Sequence, residues 1–388
     1  PSPRRPGDVE GRLPVVGDTP GIRLSGGSPH RRLLSLGIRA SRMYSIRLNE
    51  IPMPTGSREP EVLLDWLLDS MGLIRRRKEN GTLQRVMRDA LLSDPLRGWD
   101  SQSLGEATGM SHTALHLQVR KLRQAGLLST ETSGKWQFHV LRGGSMSASV
   151  TTSTALASTV LSLRLEELAR LVEPSETRME APVEEEEASF SIRVTEAGPR
   201  KEGVDDIASL VRDLGLSGDS EKGVPLARGV LMELCSSHHP VTLLALSERL
   251  SESRGRVNTT IQRMRSAGLV ETVPMVSRLA QDIFGALTRQ HSGRGTEWLM
   301  GRGGLSRIDE SSSSSLINGL ESGSLDIQGV EVALSSVPLE GQRILLNTLG
   351  GRMPFGYRVS GADGKAVSER VTRLADRSLR RIRTIAQR

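Results

Sequence analysis

Cysteine and aromatic residues are scarce in this sequence. Cys235 is the single cysteine among 388 residues, so the chain has no intrachain disulfide and cannot form a cysteine-based zinc site. We therefore expect a protein of the reducing cytoplasm. Aromatic residues make up 3% of the chain, which favours small helical cores built from Leu, Val and Ala. A chain of this length predicts two or three domains.

The sequence also lacks a long apolar run and a catalytic constellation. The apolar stretch near residue 63 is interrupted by Asp65 and Asp69, so no segment has the length of a membrane span. No Ser-His-Asp or Cys-His arrangement stands out. Residues 361–365 (GADGK) lack the four-residue spacer of a phosphate-binding loop. We expect no membrane partner, no cofactor and no enzymatic activity.

The net charge of +7 belongs to the two ends of the chain. Residues 1–42 carry eight Arg against three acids, and residues 367–388 carry seven Arg against two, so each end is +5 and the remainder is −3. Residues 1–42 are rich in Pro, Gly and Ser, which predicts a disordered basic arm or a segment upstream of a natural start near Met43. Any basic surface in the middle must be local.

The central feature is an internal repeat. Residues 111–128 (SHTALHLQVRKLRQAGLL) align without a gap with residues 253–270 (SRGRVNTTIQRMRSAGLV). Both copies end in Ala-Gly-Leu, where Gly can form a left-handed helix cap. Apolar residues at spacings of four and three predict one buried helix face in each copy: Leu115, Val119 and Leu122 in the first, and Val257, Ile261 and Met264 in the second.

The outward faces of both predicted helices lack acids. There is no Asp or Glu between Glu106 and Glu131, and none between Glu252 and Glu271, although 25% of the chain is charged. A solvated helix face normally mixes both signs of charge. Two acid-free faces therefore indicate a polyanionic partner.

Residues 103–128 (SLGEATGMSHTALHLQVRKLRQAGLL) resemble the helix-turn-helix of ArsR/MarR-type winged-helix transcription regulators. In that pattern Ser103 would cap the first helix, Gly109 would form the turn and Ser111 would cap the recognition helix. The second copy has Ser251 in place of the turn glycine. The resemblance covers about 80 residues in each copy and implies sequence-specific binding of double-stranded DNA.

The repeated unit begins before the helix-turn-helix, because residues 44–48 match residues 190–194 and both alternate like strands. The predicted fold is mainly α with small β-wings (α+β): two winged-helix domains in tandem, each preceded by a strand–helix element. The predicted segments are the arm at 1–42, the first repeat at 43–144, an amphipathic helix and acidic linker at 145–189, the second repeat at 190–305, and a Ser-rich linker, small element and basic helix at 306–388.

The two wings are predicted to differ. The first is a hairpin turning at Gly134, with Lys135 at its tip and a buried face formed by Trp136, Phe138 and Val140. In the second, residues 273–292 have helical spacing and interrupt the wing, and residues 297–300 are the predicted returning strand. Residues 350–365 (GGRMPFGYRVSGADGK) are similar to a segment that follows the catalytic domain of serine recombinases. There, Arg352 and Arg358 could contact a DNA backbone, but an ordinary turn is the alternative.

The predicted DNA contacts lie on the two recognition helices, and the alternative is that these faces bind protein. The residues of the first copy that we expect to contact base edges are His112, Thr113, His116 and Gln118. The residues that we expect to contact phosphates are Arg120, Lys121, Arg123 and, on the wing, Lys135. The equivalents in the second copy are Arg254, Arg256, Asn258, Thr259, Gln262, Arg263 and Arg265.

Two histidine-containing patterns could also suit a metal. His112 and His116 are four residues apart but have no third ligand in view. Cys235, His238 and His239 form a C-x-x-H-H cluster, a weak metal candidate because no partner cluster accompanies it. A buried cysteine beside two exposed histidines is the alternative, and we expect no resident metal.

Together these features predict a prokaryotic transcription regulator that is cytoplasmic and associated with the nucleoid. Because the recognition helices differ, one chain should occupy two unlike half-sites. Residues 154–172 could form a homodimer interface or pack on their own domain. The alternatives are a condensin-associated tandem winged-helix protein that acts through protein contacts, or a replication initiator. The sequence leaves any small-molecule effector unknown.

Overall fold

The computed structural model describes residues 44–74, 81–179, 188–198 and 205–388. This part of the chain is mostly helical with small antiparallel sheets, which confirms the coarse fold class. The predicted basic arm at 1–42 and most of the acidic linker, including Glu184 to Glu187, lie outside the described residues. None of the described helices is long and apolar enough to cross a membrane.

The first half of the chain forms strands and helices in the order of the predicted repeat. They are β1 (Ser45–Asn49), α1 (Pro60–Ser70), α2 (Thr82–Val86, continued by a π-helical turn at Met87–Leu91), α3 (Ser101–Thr108), α4 (His112–Gln124), β2 (Leu128–Ser133), β3 (Trp136–Leu141) and α5 (Met146–Ala169).

The second half repeats this order and adds four helices before its last strand. Its elements are β4 (Ser191–Thr195), α6 (Asp206–Asp213), α7 (Val224–Ser236), β5 (Val241–Thr242), α8 (Leu243–Arg249), α9 (Arg254–Ser266), β6 (Val270–Pro274), α10 (Leu279–Met300), α11 (Glu310–Glu321), α12 (Ile327–Ala333), α13 (Leu339–Thr348), β7 (Phe355–Val359) and α14 (Gly364–Ala386).

Local sequence explains the turn between α3 and α4. Asp100, not Ser103 as predicted, is the N-cap of α3, and Ser103 completes a capping box three residues later. Gly109 forms the predicted turn with φ of 63°. Ser251, which occupies the glycine's place in the second copy, has φ of 52° and is the one non-glycine residue with positive φ in the described part of the chain. Ser111 is the N-cap of α4 but its side chain makes no capping hydrogen bond.

The apolar stripes of both repeated helices are buried as predicted. All six side chains lie inside the larger hydrophobic core, which runs from β1 to α14: Leu115, Val119, Leu122, Val257, Ile261 and Met264.

The first hairpin has the predicted turn but the opposite buried face. Strands β2 and β3 pair antiparallel, and Trp99 forms a β-bridge to His139. His139 and Leu141 are buried, whereas Trp136 is 49% exposed and Phe138 and Val140 are half-buried. The prediction that Trp136, Phe138 and Val140 form the buried face of β3 was wrong. The bridge between Trp99 and His139 turns the other face of β3, with His139 and Leu141, toward the core.

The returning strand of the second repeat lies far from the predicted residues. Residues 297–300 are helical and end α10, whereas β7 lies between β5 and β6 in a three-stranded sheet. The segment that is similar to a recombinase sequence is thus this returning strand. Helices α10 to α13 are an insertion between β6 and β7, and they pack around a second core that includes Leu279, Ile283, Leu287, Leu316 and Leu345.

The insertion also contradicts the predicted Ser-rich linker. Ser311 to Ser315 lie in the first turns of α11, whose N-cap is Asp309, and Ser312 and Ser313 are buried. Because β6 and β7 are hydrogen-bonded partners, the boundary predicted at residue 305 separates two strands of one sheet. The basic C-terminal helix α14 follows β7 as α5 follows β3, so it belongs to the second repeat.

The two repeats join through a self-symmetric strand pair. Strands β1 and β4 are antiparallel with Arg47 opposite Arg193, Ser45 opposite Thr195 and Asn49 opposite Ser191. Arg47 and Arg193 are equivalent positions of the two repeats, so the register has a local two-fold axis at this pair, as in an isologous dimer.

The long helices α5 and α14 also meet across this contact. They follow equivalent strands, and each begins with a side-chain N-cap, Ser145 or Asp363. They pack directly on each other, so much of the helix at residues 154–172 is covered by the same chain. Leu156 and Leu163 of this helix remain exposed.

Gly72 is expected to be required at the two-fold contact. It has φ of +65°, and an added Cβ would lie 2.5 Å from the Cβ of Arg47. Gly56 also has positive φ, +80°, but has no atom within 4 Å of an added Cβ. A left-handed alanine costs about 1–2 kcal/mol. We predict that Gly72→Ala lowers the free energy of urea unfolding by clearly more than Gly56→Ala; equal losses would show that the close approach to Arg47 is unimportant.

Candidate nucleic-acid interface

The N-terminal half of α4 presents the exposed polar surface of the first repeat. Its apolar stripe holds the helix against the core, so His112, Thr113 and His116 point to solvent from the first two turns. Arg120 and Arg123 are exposed further along the helix. This face carries hydrogen-bond donors and acceptors at one end and cations at the other, as predicted, and contains no acid.

Two predicted contacts on α4 point inward instead. Gln118 is buried, and its Nε2 donates to Thr82 Oγ1 at 3.2 Å. Lys121 is half-buried and its Nζ donates to the carbonyl oxygen of Leu73 at 3.5 Å. The prediction that Gln118 faces the major groove was wrong, and Lys121, which was predicted to contact a phosphate, turns toward Leu73. Single-helix periodicity does not reveal this, because the contacts come from α2 and from the residues after α1.

The tip of the first hairpin adds an exposed cation and an exposed aromatic ring. Lys135 is exposed, and its Nζ lies 5.7 Å from the centre of the Trp136 ring. Leu117, on α4, is also 41% exposed. Sequence patterning missed Trp136 and Leu117 as surface residues because large apolar side chains are usually assigned to a core.

Helix α9 is the equivalent surface in the second repeat, but its charges are more compensated. Arg254 and Thr259 are exposed, and Arg256 is exposed but forms an ion pair with Glu252 at 2.5 Å. The others are half-buried. Asn258 Oδ1 accepts from Gln262 Nε2 at 3.3 Å, and Arg265 Nη1 donates to Gln262 Oε1 at 3.0 Å.

Arg263 of α9 corresponds to Lys121 of α4 and likewise turns back toward the core. Its guanidinium packs on Gly218, where an added Cβ would lie 2.9 Å from Cζ. Both cations therefore lie beside the strand–helix element of their own repeat, and Arg263 is set back from the exposed face that holds Arg254 and Thr259.

A buried imidazole lies behind the first interface. His139 Nδ1 is 3.0 Å from Thr130 Oγ1 across the hairpin. Burial lowers the pKa of His139 below 6.5, and the positive charge of Arg123 and the proximity of His116 lower this pKa further. Neutral His139 thus belongs to the folded hairpin.

The weak metal candidate is not assembled. Cys235 faces the core, where burial raises the pKa of its thiol to about 12. His238 and His239 are exposed, and His238 Nε2 lies 3.7 Å from Glu173 Oε2. Across the described ranges, no three His, Cys, Asp or Glu side chains converge as a metal site would require, and this applies to His112 and His116 as well.

The possible backbone contact from Arg358 is also excluded by its position. Arg358 is buried, and its Nε donates to Glu271 Oε1 at 2.7 Å across the β6–β7 pair. Arg352 is exposed just before β7.

No protein family model, curated protein or solved structure matches this chain. The function must therefore be inferred from the residues and contacts described above.

The pKa of His139 predicts acid sensitivity. Because it is lower in the folded chain than the unfolded value near 6.5, the unfolded chain binds the proton first as pH falls. Stability from this group is present above about pH 6.5 and is lost below it, toward the folded pKa. We predict that the free energy of urea unfolding depends less on pH in His139→Gln than in His112→Gln. The NMR titration of His139→Gln should also lack one imidazole of low pKa. An unchanged titration would contradict this.

Proposed function

We propose that this chain is a double-stranded DNA-binding transcription regulator built from two tandem winged helices of the ArsR/MarR type. The observation that supports this proposal is the exposed face of α4, which contains no acidic residue. Helix α4 follows a short helix and a glycine turn, and it precedes a hairpin with a cationic tip. A helix of this kind can enter a major groove, and a hairpin beside it can contact the adjacent backbone.

The exposed residues of α4 can be assigned to base contacts or to phosphate contacts by their position and charge. Thr113 and His116 are the candidates for base edges because they lie on the exposed N-terminal half. Arg120, Arg123 and Lys135 are the candidates for phosphates, since each is an exposed cation. In α9, Arg254 and Thr259 are the best placed for bases, whereas Arg256 must first leave Glu252.

The two-fold strand pair gives the proposal a specific geometry. Equivalent elements related by a two-fold axis present their recognition helices to DNA in opposite directions, as the subunits of a dimer do. Because α4 and α9 differ at nearly every exposed position, the half-sites would be inverted in direction but unlike in sequence. A single chain would thereby perform the role of a dimer.

A protein-binding function is favoured by one observation. Leu117 and Trp136 are both large and apolar, are both exposed, and lie on α4 and the following hairpin. Tryptophan is enriched among the residues that contribute most to binding in protein interfaces. A chromosome-structural role through protein contacts is therefore the second candidate.

Sequence selection from random duplexes by the full chain is the direct test. We predict recovery of two unlike motifs in inverted orientation, with centres about one helical turn or a multiple of it apart. Thr113→Ala should alter only one of the two motifs. Recovery of binding without any motif would indicate an architectural protein, and absence of binding at low salt would exclude the DNA proposal.

Arg123 and Lys121 provide a matched pair on one helix. Both are cations of α4, but Arg123 is exposed and Lys121 turns toward Leu73. Arg123→Gln should weaken binding to all sequences and reduce the slope of log affinity against log salt by about 0.9. Lys121→Gln, which removes the same charge, should leave this slope nearly unchanged. If both variants reduce the slope equally, the proposed orientation of α4 on DNA is wrong.

A further inference from the structure

The helical insertion of the second repeat replaces the tip of a hairpin. The first hairpin turns through Gly134 and Lys135. In the second repeat the ladder of β6 and β7 ends with a hydrogen bond of 2.9 Å from the N–H of Met275 to the carbonyl oxygen of Pro354. Counted from the Ala-Gly-Leu that ends each repeated helix, this bond lies at the same place as the residues that flank the first turn. Residues 276–353 therefore occupy the position of the cationic tip of the first repeat.

The charges of the insertion are divided between its two parts. Residues 276–308 carry five Arg against two acids, whereas residues 309–348 carry six acids against one Arg. Helices α11 to α13 pack on α10 around the second core, which includes Ile283 and Leu287. The exposed side of α10 therefore faces away from the acidic helices. A solvated unit normally mixes both signs of charge, so this division indicates a polyanion on the side of α10.

Two exposed arginines lie on one side of α10. Arg278 directly precedes the first turn, and Arg289 follows eleven residues later, which corresponds to about three full turns of an α-helix. Within the described part of the chain, neither side chain forms an ion pair or a hydrogen bond. Asp282, which lies between them, is half-buried and pairs with neither. Both guanidinium groups are thus free to bind a partner.

A third exposed arginine, Arg352, lies on the segment that returns from the insertion to β7. Gln290 of α10 donates from Nε2 to the carbonyl oxygen of Leu349 at 2.9 Å, and five residues later Pro354 accepts from Met275 at the base of the hairpin. The segment between these two contacts runs back along α10. Among the described residues Arg352 has no ion-pair partner, so it adds another free cation beside this helix.

Helix α9 itself offers few free cations to a DNA backbone. Arg256 forms an ion pair with Glu252, Arg263 is set back from the exposed face, and Arg265 donates to Gln262. Helix α4 and its hairpin, by contrast, expose three cations that can contact phosphates. The three arginines of the insertion would provide the second repeat with the same number.

We propose that the insertion is an enlarged wing, and that Arg278, Arg289 and Arg352 bind the phosphate backbone of double-stranded DNA beside the half-site of α9. We call these three residues the insertion arginines. Their planar guanidinium groups match phosphate oxygens, and the contact is independent of base sequence. The same backbone repels the acidic helices α11 to α13, which favours an orientation with α10 toward the DNA. The proposal rests on the DNA binding proposed above.

The test compares Arg289→Gln with Arg343→Gln in the full chain. Both are exposed arginines of the insertion, but Arg343 lies on α13 in the acidic part. Arg289→Gln should weaken binding to all duplexes and lower the slope of log affinity against log salt by about 0.9, since one phosphate contact is lost. Adding Arg278→Gln should lower the slope by about 1.8 in total. Arg343→Gln should leave it nearly unchanged.

Hydroxyl-radical footprinting on the selected duplex locates the contact. Arg289→Gln should lose backbone protection beside the motif that Thr259→Ala alters, and keep the protection beside the motif that Thr113→Ala alters. The free energy of urea unfolding of Arg289→Gln should equal that of the unmodified chain, because this guanidinium has no partner among the described residues. A loss of protection then reports a lost DNA contact and not a loss of folding.

Equal slopes in Arg289→Gln and Arg343→Gln would overturn the proposal, and so would unchanged protection beside the α9 motif. Arg123→Gln separates this failure from that of the proposed function. If Arg123→Gln lowers the slope and Arg289→Gln does not, DNA binding stands and the insertion arginines take no part in it. If the unmodified chain binds no duplex, both proposals are wrong. Binding of single-stranded RNA that Arg289→Gln weakens would then assign the insertion arginines to a different polyanion.

Discussion

The antiparallel pairing of β1 with β4 is the constraint on which the rest of this structure depends. Its register is symmetric about Arg47 and Arg193, so it fixes two copies of one unit in an isologous arrangement. Gly72 and Gly215 let the chain pass close to these two arginines, with positive φ in both. The helices α5 and α14 then cover the contact, and the larger hydrophobic core includes residues from both repeats.

Symmetry in the centre contrasts with divergence at the surface. Helix α4 has exposed cations and contains no acidic residue. In α9, by contrast, Arg256 forms an ion pair with Glu252, and Arg265 donates to Gln262. One hairpin is short, and the other is split by four helices with their own core. Duplicated units joined in one chain can diverge in this way, because no residue change has to serve both positions at once, as it must in a homodimer.

Prediction from sequence succeeded where the signal was local. The stripes on α4 and α9, the glycine turn at Gly109 and the hairpin at Gly134 depend on residues within a few positions of one another. The direction in which individual side chains point was less predictable. Gln118 and Trp136 were placed on the wrong side because the neighbours that decide their burial, Thr82 and the Trp99 bridge, come from elsewhere in the chain. No periodicity within a single element contains that information.

The sequence by itself determined the repeat, the glycine ends of the two repeated helices and the acid-free faces, since helix periodicity and composition are properties of neighbouring residues. The tertiary structure alone decided that β7 completes the sheet begun by β5 and β6, because strand pairing across a long insertion follows from hydrogen bonding in space. It also placed the segment of Arg352 beside α10, where Gln290 donates to Leu349. Contacts between segments so far apart depend on how whole elements pack, which short-range patterns do not specify.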